Sequence, residues 1–148
     1  MASSVSGQAL CSDDDYSPCT CQDYFGISIT CNGVTMAQVS QVFLRTRTIE
    51  IEDVYLNISS SDSLIPADIL SNKRVLSRIA LRCPADNYIL NVDLNAFRNT
   101  KAYTDELGID NCALTQTTSL NFLTGFNVMN RLVILSSNGI QVGSKNNF

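Results

Sequence analysis

The chain has 148 residues, of which 45% are hydrophobic and 16% are charged, so it is long enough to form one domain with its own core. Its formal net charge is −4 and its ten Lys and Arg residues are spread along the chain, which leaves no basic block for nucleic acid or an anionic membrane surface. Histidine is absent, which removes the common nucleophile pairs and zinc sites that need it, so we expect a protein without enzymatic activity, cofactor or metal.

The first ten residues, MASSVSGQAL, predict a flexible lead-in, and they have neither the positive region nor the apolar region of a signal peptide. No run of residues approaches the roughly 20 apolar residues that span a bilayer, so we expect no membrane insertion. The six cysteines are an even number and four of them cluster near the start, which favours an oxidising compartment. We therefore expect a secreted, extracellular protein, present as a mature chain or as a fragment that restarts with Met.

Residues 11–48 hold four of the six cysteines, and we interpret this segment as an N-terminal cap. Four cysteines alone allow three pairings, and a knot of four thiolates around zinc is an alternative that the lack of a C-x-x-C step disfavours. The run Asp13, Asp14 and Asp15 lacks the alternating ligands of an EF-hand loop, so it predicts a solvated acidic turn.

Two local patterns in this segment predict secondary structure. In FGISITC, residues 25–31, isoleucine alternates with serine and threonine, which is typical of a half-buried strand. Thr35 is a good N-cap, and Gln38 stands three residues later as its capping-box partner. These two residues predict a helix over residues 36–45.

A longer period follows over residues 49–140. The segments VYLNI, IALRC, LGIDN and LVILS each have two apolar residues one apart, and they begin at residues 54, 79, 107 and 132. Between them lie the apolar segments IPADIL, VDLNAF and LNFLTGF. A strand, a turn and an apolar return segment with a period of about 20 to 29 residues are the signature of degenerate leucine-rich repeats. An ordinary α/β fold with parallel strands is the alternative.

The third unit matches the repeat pattern best, at Thr104, Leu107, Ile109, Cys112 and Leu114. When the strands are aligned, Cys83 and Cys112 lie one position apart on neighbouring units, close enough for a disulfide if their side chains face each other. Two small buried core residues are the alternative. We thus predict an α/β fold, a short leucine-rich repeat horseshoe with a parallel sheet of about four to five strands and a disulfide-bonded cap.

Stacking the four units on their first strand residue predicts which side chains share the outward, concave face of the sheet. One column alternates in charge and contains Asp53, Arg78, Glu106 and Arg131. A second contains Asn57, Arg82 and Asp110, and a third between them contains Tyr55, Ala80, Gly108 and Val133. Opposite charges on neighbouring strands would pair, each pair contributing a fraction of a kcal/mol. The small residues would leave a shallow groove between the charged columns.

Two interpretations of this face stay open. It either keeps an exposed sheet soluble and in register, or it recognises a partner with tyrosine and arginine as anchors. The candidate binding residues are Tyr55, Asn57, Arg78, Arg82, Glu106, Asp110 and Arg131. Asn57 also begins the N-x-S sequon, so it is the candidate glycosylation site, and a glycan there would obstruct the face.

The cysteine cluster, in which Cys19 and Cys21 are one residue apart, resembles the N-terminal cap of extracellular leucine-rich repeat proteins. In that family the first cysteine pairs with the third and the second with the fourth. The resemblance therefore implies the disulfides Cys11–Cys21 and Cys19–Cys31. Such a cap would cover the hydrophobic core that is open at the end of a repeat array.

Over about residues 11–140 the chain resembles a crustacean family of secreted leucine-rich repeat proteins related to the non-catalytic subunit of the oplophorus-luciferin monooxygenase. The likeness lies in CTCQDYFGISITC, TMAQVSQVF, IPADILSN, LRCP, VDLNAFRN and LNFLTGF. It implies a binding or stabilising role, since the luciferase activity of that family belongs to another subunit. The tail at 141–148 departs from the longer relatives because it has no second cysteine cap. Three explanations are open: the chain is a fragment, a partner covers the last strand, or the chain associates with itself through the last repeat.

These patterns favour a secreted, non-enzymatic protein-binding module or accessory subunit. The alternative is a soluble recognition protein for a glycan or a microbial surface in host defence. A small hydrolase with two catalytic carboxylates is a poorer third hypothesis, because the sequence has no clustered acid pair.

Overall fold

The structure is a computed structural model that describes residues 9–62, 64–85, 88–113 and 120–135. Most of the predicted lead-in, the predicted tail at 141–148 and Leu114 of the third unit lie outside these ranges.

The N-terminal part contains a β-hairpin followed by a helix. Strand β1 (Thr20–Gln22) pairs antiparallel with β2 (Ser28–Val34), and helix α1 spans Met36–Arg45. The predicted helix is confirmed, while the strand predicted at 25–31 begins three residues later and β1 was not predicted. β1 has only three residues and little burial, so it has no hydrophobic pattern that a sequence reading could detect.

Four further strands join β1 and β2 in the main sheet: β3 (Glu50–Ile58), β5 (Arg74–Arg82), β7 (Glu106–Asp110) and β8 (Arg131–Leu135). The six strands lie in the order β1-β2-β3-β5-β7-β8. From β2 to β8 all neighbours are parallel, so five strands are parallel and β1 is a sixth, antiparallel strand. The four segments aligned in the sequence thus lie side by side in chain order, within a mixed α/β fold.

The connections between these strands also stack on one another. Strands β4 (Leu64–Ile65) and β6 (Asn91–Val92) form a second, two-stranded parallel sheet. Beyond them, the backbone amides of Asp68 and Ile69 donate to the carbonyls of Asn95 and Ala96 at 3.1 and 3.2 Å. The segments IPADIL and VDLNAF are therefore neighbours in space as well as equivalent in sequence.

One hydrophobic core lies between the main sheet and these connections. Two columns of buried residues cross β2, β3, β5, β7 and β8 in register: Ile29, Val54, Ile79, Leu107 and Leu132, then Cys31, Leu56, Leu81, Ile109 and Ile134. On the other side of the core the ring of Phe97 packs 6.4 Å from that of Phe122 and 6.5 Å from that of Phe126. Burying each such side chain contributes about 1.5 to 3 kcal/mol, which makes this core the main source of stability.

All six cysteines form disulfides, in the pairs Cys11–Cys21, Cys19–Cys31 and Cys83–Cys112. These are the pairs that the cap resemblance and the strand alignment predicted. The first two tie the N-terminal segment and β1 to each other and to β2, and the third joins the chain just after β5 to the chain just after β7.

The acidic run at 13–15 is solvent-exposed at Asp13 and Asp15, as the sequence predicted, but Asp14 is partly buried and makes specific contacts. Asp14 accepts hydrogen bonds from the backbone amides of Arg47 and Thr48, at 3.0 and 2.9 Å, and from the Thr48 hydroxyl at 2.8 Å. Its carboxylate therefore fastens the N-terminal segment to the connection between α1 and β3.

Candidate functional site

The face of the main sheet that points away from the core carries the predicted columns of polar and small residues. We call this the groove face. The register pairs Asp53 with Arg78, Arg78 with Glu106, and Glu106 with Arg131 on successive strands. The second column (Asn57, Arg82, Asp110) and the third (Tyr55, Ala80, Gly108, Val133) are aligned in the same way.

Two of the four cross-strand charge pairs expected on this face are formed. Arg78 Nε lies 2.8 Å from Glu106 Oε2, which makes an ion pair across β5 and β7. Burial lowers the pKa of Arg78, but the Glu106 carboxylate and a hydrogen bond with Tyr55 together outweigh this and hold that pKa above its ordinary value. Arg82 Nε lies 3.7 Å from Asp110 Oδ2, at a more exposed and therefore weaker pair.

The other two expected pairs do not form. Among the residues the structure describes, neither Asp53 with Arg78 nor Glu106 with Arg131 approaches within the 4.0 Å of an ion pair. Arg78 has carboxylates on both neighbouring strands and contacts that of Glu106. Asp53 is half-buried and has no ion pair. Burial raises the pKa of its carboxyl, and the charge of Arg78 and a hydrogen bond with Ser77 only partly offset this.

A groove runs between the charged columns, as the small residues predicted. It is open to solvent and has a volume of about 340 Å³, with Tyr55, Ala80, Gly108 and Val133 in its central column. A Cβ added at Gly108 would meet no heavy atom within 4 Å, so the groove is empty of protein directly above the strand. The candidate binding residues Tyr55, Asn57, Arg78, Arg82, Glu106, Asp110 and Arg131 all line it.

Asn57 lies at one end of this groove. Its side-chain amide donates to Asn32 Oδ1 at 3.4 Å, and both residues border a second open depression of about 510 Å³. That depression is lined by amide and hydroxyl side chains, among them Asn111, Ser59 and Ser60, together with Arg82. The sequon residue therefore lies where a glycan would cover one end of the groove.

Stacking the four units from the sequence missed two contributors to the groove face. β2 extends each column by one residue, because Ser28, Thr30 and Asn32 pair with Asp53, Tyr55 and Asn57. The signal was available, since each pair is 25 residues apart, close to the spacing between the later units. Leu135 also lines the groove, as the register partner of Asp110, and extending the alignment by one position would have found it.

Other features bear on what this site can hold. Within the described ranges, no group of three or more acidic or cysteine side chains is arranged to bind a metal ion. In the same part of the chain, no helix is both long enough and apolar enough to cross a membrane. Comparison of the chain with family models, with curated proteins and with solved structures finds no match.

Proposed function

We propose that this protein is a secreted leucine-rich repeat module without enzymatic activity that binds another protein through its groove face, as an accessory subunit. The groove of about 340 Å³, with open space above Gly108 between two charged columns, carries this proposal. Tyrosine and arginine, which border it at Tyr55, Arg78 and Arg131, are the residue types that recur at protein–protein hot spots.

The repeat interpretation is supported by spacing and by stacking. Successive members of the charged column, Asp53, Arg78, Glu106 and Arg131, are 25, 28 and 25 residues apart and lie on parallel neighbours. The return segments stack as the strands do, through backbone hydrogen bonds between residues 68–69 and 95–96. Repeats of this kind bury their apolar faces only against each other. The three disulfides fit an oxidising, extracellular compartment.

The accessory role rests on the resemblance to the crustacean family and on the chemistry of the groove. The carboxylates of Glu106 and Asp110 in the groove are each paired with an arginine, which leaves them poorly suited to act as general acid and base. A binding role needs no proton transfer by these carboxylates, so their pairing with arginine is compatible with it.

The test is to fill the groove without disturbing the fold. Gly108→Phe places a ring in the open space above β7, so we expect the variant to melt at or above the wild-type temperature and to lose partner binding at least tenfold. Tagged protein is used to capture companions from the extracellular fluid of the source organism, and the recovered protein is quantified. Ala37→Phe, which adds the same ring on the exposed side of α1, is the matched control and should bind normally.

The exchange Arg78→Glu with Glu106→Arg is a second variant, because it keeps the ion pair and reverses its direction. Normal companion binding by both groove variants, with unchanged melting, would disprove the groove as the binding site. Full glycosylation of Asn57, measured by mass spectrometry, would likewise move the binding surface to the opposite side of the molecule.

A second candidate function is recognition of a glycan or microbial surface. The observation that favours it is the neighbouring depression of about 510 Å³, whose amides and hydroxyls suit a polyhydroxylated ligand. The test is retention of the protein on immobilised polysaccharide. If Asn111→Ala loses retention and Gly108→Phe keeps it, this function is favoured over the first.

A further inference from the structure

The turn between β1 and β2 exposes two aromatic side chains. Tyr24 is 76% exposed and Phe25 is 93% exposed, although both belong to residue types that proteins usually cover. Gly26 follows with φ of +136°, a backbone conformation that side chains disfavour, and a Cβ there would lie 3.1 Å from Glu52 Cβ. The glycine thus lets the aromatic tip turn back close to β3.

Between this tip and the start of β3 and β5 lies an open groove of about 680 Å³. Its lining combines apolar side chains, including Phe25, Ile49 and Leu76, with the carboxylates of Asp13, Glu50 and Glu52. No lysine or arginine is among the described residues that line it. It shares no lining residue with the groove of the proposed function, so the two surfaces are separate.

None of these three carboxylates has a counter-ion. Asp13, Glu50 and Glu52 form no ion pair within 4.0 Å inside the described part of the chain, and Asp13 accepts only a neutral hydrogen bond from the Leu10 backbone amide, at 2.9 Å. Burial raises the pKa of Glu52, and the charge of Asp53 adds to this. A partly buried carboxylate without a cation is a group that an incoming positive charge would stabilise.

We propose that the aromatic tip and this groove form a second docking surface, which binds a basic segment of a partner protein. A lysine or arginine of that segment would lie between the Phe25 ring and the carboxylates of Glu50 and Glu52. The face of an aromatic ring attracts a cation, and an apolar wall beside a carboxylate suits the long aliphatic stem that carries it. The surplus of negative charge excludes nucleic acid and anionic lipid, whose phosphates it repels.

Hexa-arginine peptide is the probe, added to the ¹⁵N-labelled full chain at low ionic strength and followed by NMR. We expect the amide signals of residues 25, 26, 50 and 52 to shift, and an equal concentration of hexa-glutamate to leave them unchanged. Glu52→Gln should weaken the affinity about three- to tenfold, whereas Asp105→Asn, which removes the same charge at an exposed site elsewhere, should change it less than twofold.

Phe25→Ser and Phe25→Leu separate the roles of the ring. Both variants should melt like the wild type because Phe25 is almost fully exposed, but Ser should weaken binding severalfold, and Leu should retain only the part that comes from apolar contact. Equal affinity of the peptide for the wild type, Glu52→Gln and Phe25→Ser would overturn the proposal. If the same signals shift when the protein concentration alone is raised, the groove binds a second copy of the chain. If residues before Ala9 contact the groove and exclude the peptide, the chain itself fills it. Either result would also overturn the proposal.

Discussion

At the scale of single residues, Asp14 shows how one side chain joins distant parts of the chain. It binds the amides of Arg47 and Thr48, and nearby Lys73 is fully buried, with its Nζ donating to the Thr46 carbonyl at 2.7 Å. Burial raises the pKa of Asp14, but these hydrogen bonds and the charge of Lys73 outweigh it, so the pKa lies below the ordinary 3.8. The negative charge therefore stabilises the fold.

This arrangement predicts a pH-dependent effect of Asp14→Asn. A carboxyl whose pKa is lowered in the folded state adds stability that is present above its unfolded pKa and is lost as the pH falls through its folded pKa. We expect the variant to lose about 1 to 2 kcal/mol at pH 7, as charge-assisted hydrogen bonds are weakened. Urea denaturation at a series of pH values measures this.

The difference between wild type and Asp14→Asn should shrink below pH 3.8 as the wild-type carboxyl is protonated. Asp105→Asn, which removes an exposed charge, serves as the control for net charge. A difference that stays constant from pH 7 to pH 2 would show that shape, not charge, explains the loss.

At the scale of elements, α1 is specified by residues next to it in sequence. The Gln38 backbone amide donates to Thr35 Oγ1 at 3.2 Å, and the Thr35 backbone amide donates to Gln38 Oε1 at 3.0 Å, which completes the predicted capping box. A contact from outside adds to this, because Asp62 Oδ2 accepts from the Met36 amide at 3.0 Å. The cap satisfies amides that the first helical turn leaves without partners.

Thr35→Ala should therefore destabilise the protein by about 1 kcal/mol, since the amide of Gln38 loses its acceptor. Thermal denaturation should show a decrease of about 2 to 4 °C for a chain of this size. Thr35→Ser keeps the hydroxyl and should remain close to wild type. If Ala and Ser at position 35 melted at the same temperature, the cap would have no measurable role in stability.

At the scale of the whole molecule, the disulfide Cys83–Cys112 connects the ends of two neighbouring parallel strands. Its cysteines are separated by 29 residues, and both are buried, at 3% and 1% exposure. The crosslink shortens the loop that the unfolded chain must close between β5 and β7. It thus acts on the part of the sheet that carries the proposed binding groove.

The variant Cys83→Ala with Cys112→Ala should lose about 3 to 4 kcal/mol of unfolding free energy, which is the loop-closure term for a loop of this length. Urea denaturation under non-reducing conditions compares it with the wild type, whose other two disulfides stay intact in both proteins. A loss below about 1 kcal/mol would indicate that strand pairing and the core alone hold β5 against β7.

Much of this molecule could be derived from the sequence. The capping box placed α1, and the period-two apolar pairs placed β3, β5, β7 and β8 in the observed register, because each signal lies within about ten consecutive residues. The groove followed from the same register, since Ala80 and Gly108 fall between charged neighbours on adjacent strands. The pairing of Cys83 with Cys112 was one of two alternatives that the alignment left open.

Tertiary structure alone decided the contacts between residues far apart in the chain. Arg78 contacts Glu106 and leaves Asp53 without an ion pair. Asp14 fastens the connection after α1, and the exposed Phe25 lines the same groove as Glu50 and Glu52. Local sequence patterns encode the direction in which each side chain points, and so which residues share a face. They do not encode which of several nearby charges a flexible side chain meets, because that depends on distances that exist only after the strands and turns have packed together.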